Sequence, residues 1–292
     1  MELRAPATDN HQEEPSLAVL PGGRVVVAWK EMPQPATVGS LGLARSDDEG
    51  LSWQTSLLPR PVGGAGQSDP WLVARASGRV LAARYAACGV AVAASDDEGA
   101  SWSTWQEMHA GDGCADKPSL SRARTGPLVL VYHVIETSGD DVRVDLAMSR
   151  NDGNTWTASE IVAPEAGERR LAPTAAVLAD GSVAVAWWRP DIGGVEVTRS
   201  NDDGDTWSTP TSLNSKQGSV IRIDRPELRP PFPTLTALGN TLVAAWSDAG
   251  SGDWNVVASR SEDGGRSWSA PLPLDSGGSG DQWMVTVAAG PD

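Results

Sequence analysis

The chain is short of most side chains that do chemistry. It has two cysteines, Cys88 and Cys114, and three histidines, His11, His109 and His133, in 292 residues. Two cysteines cannot make a structural zinc set and no histidine stands at metal-ligand spacing, so no metal is expected. No phosphate-binding glycine loop, dinucleotide fingerprint or nucleophile elbow occurs, so no cofactor is expected. Positive charge is scarce too: 23 Lys and Arg face 38 Asp and Glu, giving a net charge of −15 and a pI about 4.6. That balance disfavours nucleic acid and anionic membrane as partners. No apolar run reaches the 18 residues of a membrane-spanning helix, so no membrane insertion is expected. The opening MELRAPATDNHQEEPS lacks the apolar centre of a signal peptide. Phenylalanine (one) and tyrosine (two) are nearly absent, whereas tryptophan (13) and glycine (31) are plentiful.

What is present is a repeat. SNDDGDTW fills 200–207, and close variants fill 46–53 (SDDEGLSW), 95–102 (SDDEGASW), 149–156 (SRNDGNTW) and 261–268 (SEDGGRSW). Self-similarity at about 50 residues marks a solenoid, propeller or array. Each box lies between two short alternating runs, the pattern of a β-hairpin with a polar loop. Gly50, Gly99, Gly153, Gly204 and Gly265 suit a turn position with positive φ. Asp48, Asp97, Asn151, Asp202 and Asp263 place a short side-chain oxygen where it can accept turn N–H groups. Asn151 does this as well as aspartate, so the position needs an oxygen and not a charge. The closing tryptophans, Trp53, Trp102, Trp156, Trp207 and Trp268, are expected in equivalent, largely buried places. An EF-hand reading fails: with Gly204 at position six, Pro210 stands where a Glu ligand is required.

A second mark runs in step with the first. Pro15, Pro70, Pro118, Pro173 and Pro233 each lead an apolar run upstream of a box. Proline suits the first residue of a strand, and the residue before it is expected to be extended. A tight turn and a second apolar strand follow, then the strand into the box and the strand after it. Four antiparallel strands per repeat is the unit of a propeller blade. The repeats span roughly 13–60, 67–109, 116–163, 170–213 and 231–274, with a partial one at 280–292. The fold expected is an all-β propeller forming a single domain over 1–292.

The boxes, S/T-x-D-x-G-x-T/S-W at this period, resemble the Asp-box (BNR) repeat of sialidases and related β-propellers. The resemblance implies six blades, here with the last truncated; a closed five-blade ring is the alternative. It also implies structural boxes on the face opposite the active site. Sialidases use an arginine triad, an Asp acid/base and a Tyr nucleophile assisted by a Glu. The first arginine belongs to an F-R-I-P motif, and here Glu13-Glu14-Pro15 stands in that place. Tyr85 and Tyr132 lie in early repeats, whereas the family's nucleophile comes late.

Strand order puts the turn between second and third strands, and the links between repeats, on the face away from the boxes. That face collects Glu14, Asp69 and Asp116 as candidate catalytic carboxylates, since glycoside hydrolysis needs a carboxyl pair at suitable separation. Lys117, Tyr85, Tyr132, Arg225 and Arg229 are the candidate ligand-binding residues, the arginines from the long link 214–230. The bland reading of Glu14 and Asp69 is that they solvate strand edges, and that of the link is a cover. Cys88, in a turn of the second repeat, and Cys114, in the link to the third, fall on this same face and are expected to form a disulfide. The alternative is two separate thiols. A bridge would imply an oxidising compartment, extracellular or at the cell surface. Two function classes follow: a sialidase-like glycoside hydrolase, or a non-catalytic propeller binding a glycan or a protein. The sequence leaves the oligomeric state open.

Overall fold

The computed structural model describes residues 11–32, 38–109, 111–123, 126–137, 139, 141–161, 163, 165–190, 192–214, 232–248, 254–274, 280–282 and 284–289. Among them are twenty strands in five four-stranded antiparallel sheets, each built in chain order, and no helix. The first sheet holds β1 (His11–Val19), β2 (Val25–Met32), β3 (Ser40–Ser46) and β4 (Gln54–Leu57). The second holds β5 (Gln67–Ala74), β6 (Val80–Ala86), β7 (Gly89–Ser95) and β8 (Gln106–Glu107). The third holds β9 (Cys114–Arg122), β10 (Leu128–Ile135), β11 (Val142–Ser149) and β12 (Thr157–Glu160). The fourth holds β13 (Leu171–Val177), β14 (Val183–Arg189), β15 (Gly194–Ser200) and β16 (Thr211–Ser212). The fifth holds β17 (Thr234–Leu238), β18 (Thr241–Asp248), β19 (Asn255–Ser261) and β20 (Leu272–Pro273).

The core is laid down between sheets. Leu72 and Ala74 of the second sheet pack with Ala18, Val26 and Leu43 of the first. Leu120 and Leu130 pack with Leu81 and Val92, Ala175 and Val185 with Val129 and Leu146, and Leu235 and Ala244 with Ala184 and Val197. Both faces of the middle sheets are covered, so their strands read as continuous apolar runs and not as an in/out alternation. Backbone bonds repeat the same step from sheet to sheet. Three residues before Pro70, Pro118 and Pro173 the N–H donates to the sheet before: Gln67 to the Gly39 carbonyl (3.1 Å), Ala115 to Cys88 (3.1 Å) and Arg170 to Val142 (3.0 Å).

Each box is a turn closed by its own side chains. In the second, Asp97 Oδ1 accepts from Ser95 Oγ (2.8 Å) and the Ser101 N–H (2.7 Å), and Oδ2 from Ser101 Oγ (2.6 Å). Ser95 Oγ in turn accepts from the Gly99 N–H (2.7 Å), at a glycine with φ +89°. Asn151 repeats this through Ser149 Oγ (3.1 Å) and the Thr155 N–H (2.9 Å). Four of the box tryptophans donate Nε1–H to the carbonyl of their own box glycine. The five are half-buried, not largely buried, and each packs against a cluster of core residues. The Ser101 hydroxyl and N–H hold the Asp97 carboxyl down at about 2. A carboxyl depressed in the native state contributes stability above its unfolded pKa, lost as pH falls from about 4 toward 2. Asp97→Ala should lower the melting temperature at pH 7 by ~2–4 °C, and Asp97→Asn by less, since Asn151 fills the same place. Calorimetry at pH 7 and pH 2.5 checks this. Equal losses in the Ala and Asn variants would sink the oxygen-not-charge reading.

Four of the five residues before the prolines are not extended. Glu14 (φ 55°), Asp69 (53°), Lys117 (53°) and Ala172 (48°) all lie in the left-handed region. The ladder explains why. Ser68 pairs with Tyr85 and Trp71 with Ala83, so Asp69-Pro70 bulges opposite the single residue Arg84. Glu14-Pro15 likewise lies opposite Trp29, Lys117-Pro118 opposite Tyr132, and Ala172-Pro173 opposite Trp187. Proline cannot donate to the ladder; the bulge skips its place and turns the preceding side chain out of the sheet.

Candidate functional site

The bulges bring the first three sheets together at one point. The Asp69 N–H donates to Glu14 Oε2 (3.1 Å), and Ser68 Oγ donates to Asp69 Oδ2 (2.6 Å). Lys117 Nζ hydrogen-bonds Asp69 Oδ1, lies 3.7 Å from Glu14 Oε1 and stands 5.7 Å from the Phe232 ring centroid. The Lys117 N–H donates to Asp116 Oδ1 (2.6 Å). Glu14, Asp69, Asp116 and Lys117 thus form one cluster from the first three sheets, with Phe232 reaching it from just before the fifth.

Electrostatics separates the carboxyls. Burial pushes the Asp116 carboxyl above the usual carboxylate range, and the neighbouring Asp69 charge adds to the rise. Burial works against the Lys117 ammonium, yet the charges of Asp69, Glu14 and Asp116 outweigh it and hold the lysine above its ordinary value. The cluster therefore offers one carboxyl disposed to keep a proton beside another, Asp69, that receives an ammonium hydrogen bond. His133 is only 5% exposed; burial and the nearby Lys117 charge pull its imidazole down to about 4. Its Nδ1 accepts from the Ala172 N–H (3.3 Å), so it links the third and fourth sheets as a neutral ring.

The other candidates fall in different places. Tyr85 is half-buried on β6, paired across the ladder with Ser68 and so beside Asp69. Tyr132 is displaced from the site: it is 1% exposed, its hydroxyl donates to the Met108 carbonyl (3.4 Å), and burial raises its pKa. The cause is the ladder, since the residue opposite each bulge points into the core, as Trp29 and Trp187 do. Arg225 and Arg229 lie outside the described residues. Cys88 and Cys114 form a disulfide, Cα–Cα 4.3 Å, two residues before Asp116. Among the described residues no group of three or more His, Cys, Asp or Glu could hold a metal ion. The sequence reading passed over Phe232, whose signal was available: it precedes Pro233 as Asp69 precedes Pro70.

The box side is different in kind. A cavity of about 510 Å³ there is lined by Arg75, Gly126, Pro127, Arg150, Asn151, Asp152 and Asp203. Its charges pair across it, Arg75 Nε with Asp152 Oδ1 (2.5 Å) and Arg150 Nη2 with Asp203 Oδ2 (3.0 Å). The Arg150–Asp203 pair ties neighbouring boxes together.

A BNR repeat-like domain model matches residues 82–220. A protein of unknown function from Dyadobacter fermentans superposes with a TM-score of 0.68 at 18% identity, covering 94% of this chain and 86% of that one. A mutant α-L-arabinofuranosidase from Fusarium graminearum, in complex with an iminosugar inhibitor, gives 0.67 at 17%, with coverage of 96% and 86%. An intramolecular trans-sialidase from Ruminococcus gnavus, complexed with oseltamivir carboxylate, gives 0.63 at 14%, with 91% and 85%. No curated protein matches the sequence. At these identities the likeness is one of fold.

Proposed function

From a chain that belongs to the Asp-box (BNR repeat) proteins, we propose a glycan-acting β-propeller, a glycoside hydrolase with its centre at Glu14, Asp69, Asp116 and Lys117. The carrying observation is the carboxyl split: Asp116 raised by burial beside Asp69, which accepts from Lys117. Glycoside hydrolysis needs this, a carboxylic acid to protonate the leaving oxygen and a second carboxylate to attack the sugar or activate water. Asp116 is assigned as the acid and Asp69, with Glu14 beside it, as the carboxylate partner. The sugar-processing neighbours support a glycan as ligand. The bridge supports an oxidising compartment, extracellular or at the cell surface.

The propeller is read as a single domain of the six-bladed type, its last blade represented by 280–289. The Gln282 N–H donates to the Trp254 carbonyl (2.6 Å), continuing the step that joins the other sheets, and Met284 has φ 60° like the four bulge residues. Leu17 is 58% exposed, whereas its equivalents Leu72, Leu120, Ala175 and Leu235 are buried against the preceding sheet. A panel of chromogenic glycosides, with calorimetric titration of the same sugars, tests the activity. A second reading, binding without cleavage, is favoured by Lys117, whose ammonium occupies Asp69; binding with no turnover across the panel would establish it.

A further inference from the structure

The first strands of successive sheets lie against one another, β1 against β5, β5 against β9, β9 against β13 and β13 against β17, and together they make an inner edge. The residue after each proline has the same place on that edge: Ser16, Trp71, Ser119, Thr174 and Thr234. Four are small and carry a hydroxyl, and two of these stitch one sheet to the next. Ser16 Oγ accepts from the Leu72 N–H (2.9 Å), and Thr234 Oγ1 from the Val287 N–H (3.4 Å). Trp71 breaks the pattern. Its indole cannot accept such a bond, and it is 39% exposed although Pro70 and Leu72 on either side are buried. A single exposed apolar residue is ordinary. A bulky ring in place of a stitching hydroxyl, left open on an inner strand, is a local rule broken without a packing gain, and such breaks collect at functional sites.

The register puts the ring beside the carboxyl cluster. Leu72 and Ala74 pack on the first sheet, whereas Val73 packs with Leu120 of the third. By alternation along the strand Trp71 faces the third sheet. Trp71 pairs across the ladder with Ala83 and Ser68 with Tyr85, so Tyr85 shares that face, with the small Ala83 beside Trp71. Lys117 crosses from the third sheet to Asp69 on the same side. Asp69 and Trp71 are two positions apart, at most about 7 Å along a strand, a span comparable with one sugar ring.

We propose that Trp71 is the platform on which a sugar ring stacks at this centre, its C–H face on the indole and its hydroxyls turned to Asp69, Lys117 and Tyr85. This rests on the glycan-acting reading of the same cluster. A sugar ring has an apolar C–H face and a polar rim. The indole offers the large flat apolar surface that the first needs, and covering it removes that surface from water. The cluster and the Tyr85 hydroxyl offer the donors and acceptors that the second needs. Few polar groups beside an apolar wall is the usual division of a small-molecule site.

The test uses the whole chain. Arabinobiose, xylobiose, lactose and 3′-sialyllactose are titrated calorimetrically into wild type, and the sugar that binds tightest is carried to Trp71→Ser and Trp71→Phe. Trp71→Ser restores the hydroxyl found at the equivalent places, so its melting temperature should not fall, while its affinity should weaken by about tenfold. Trp71→Phe keeps an aromatic face and should lose less. The change in tryptophan fluorescence that the sugar produces in wild type should be missing in Trp71→Phe. An affinity unchanged in Trp71→Ser, or a fluorescence response kept in Trp71→Phe, would overturn the proposal and leave the glycan-acting reading standing. If Trp71→Ser does not fold, the fluorescence of Trp71→Phe decides alone. Failure of all four sugars to bind wild type would overturn that reading and the proposal with it.

Discussion

Asp116→Asn should abolish most turnover, by ~10²–10⁴-fold in kcat/KM, while the protein becomes no less stable. The two effects point in opposite directions because Asp116 does two things. As the group assigned to protonate the leaving oxygen, it must carry a proton, and burial together with the Asp69 charge shifts its pKa in that direction. That elevation has a stability sign. The native state binds the proton more tightly than the unfolded chain, so stability falls as pH rises between the unfolded and native pKa values. At neutral pH the buried carboxyl is a net cost, which asparagine removes while still accepting from the Lys117 N–H. The measurement is kcat/KM against pH together with thermal unfolding at pH 7. Wild type should lose activity on the alkaline side as Asp116 deprotonates, and the variant's residual rate should lack that limb. Undiminished turnover in a folded variant would remove Asp116 from the reaction.

Much of this was legible because it is local. A box is eight residues whose serine, aspartate or asparagine, glycine and tryptophan satisfy one another within the turn, so five copies announced five hairpins. The strands between them follow from apolar runs bounded by turn residues. The bulges were not legible, because the rule for a residue before proline describes an isolated dipeptide. Here the ladder must skip a residue that cannot donate, and Asp69 is held by a bond from its N–H to Glu14 of another sheet. Tyr132 was misplaced for the same reason: without the bulge, nothing in the sequence says which of Tyr132 and His133 faces the core. Phe232 could have been found, since its place before Pro233 is the place of Asp69, but an apolar residue there did not look chemical. The carboxyl split depends on burial across three sheets, which no spacing in the chain encodes.

The disulfide variant Cys88→Ser/Cys114→Ser should lose ~3 kcal/mol of stability, the chain-entropy worth of closing a loop of 26 residues. For a chain of this size that is a melting temperature lower by ~6–10 °C. The turn that carries Cys88 adds a second component. Ala87 (φ 49°) and Cys88 (φ 61°) are the two central residues of the hairpin joining β6 and β7. Two left-handed residues make a type I′ turn, which Asn-Gly adopts readily and Ala-Cys does not, at ~1–2 kcal/mol per left-handed residue. The bridge and the bond from the Ala115 N–H to the Cys88 carbonyl hold that turn in place. Adding Ala87→Asn and Cys88→Gly to the Cys114→Ser background should therefore recover part of the loss without any cross-link. The site provides an independent readout. Cys114 opens β9 two residues before Asp116, so freeing it should lower kcat more than it raises KM. Reductant should bring wild type to the variant's melting temperature and leave the variant itself unchanged. If wild type melts at the same temperature with and without reductant, and two thiols titrate in the denatured, unreduced protein, the bridge does not form and the start of β9 is held by packing alone.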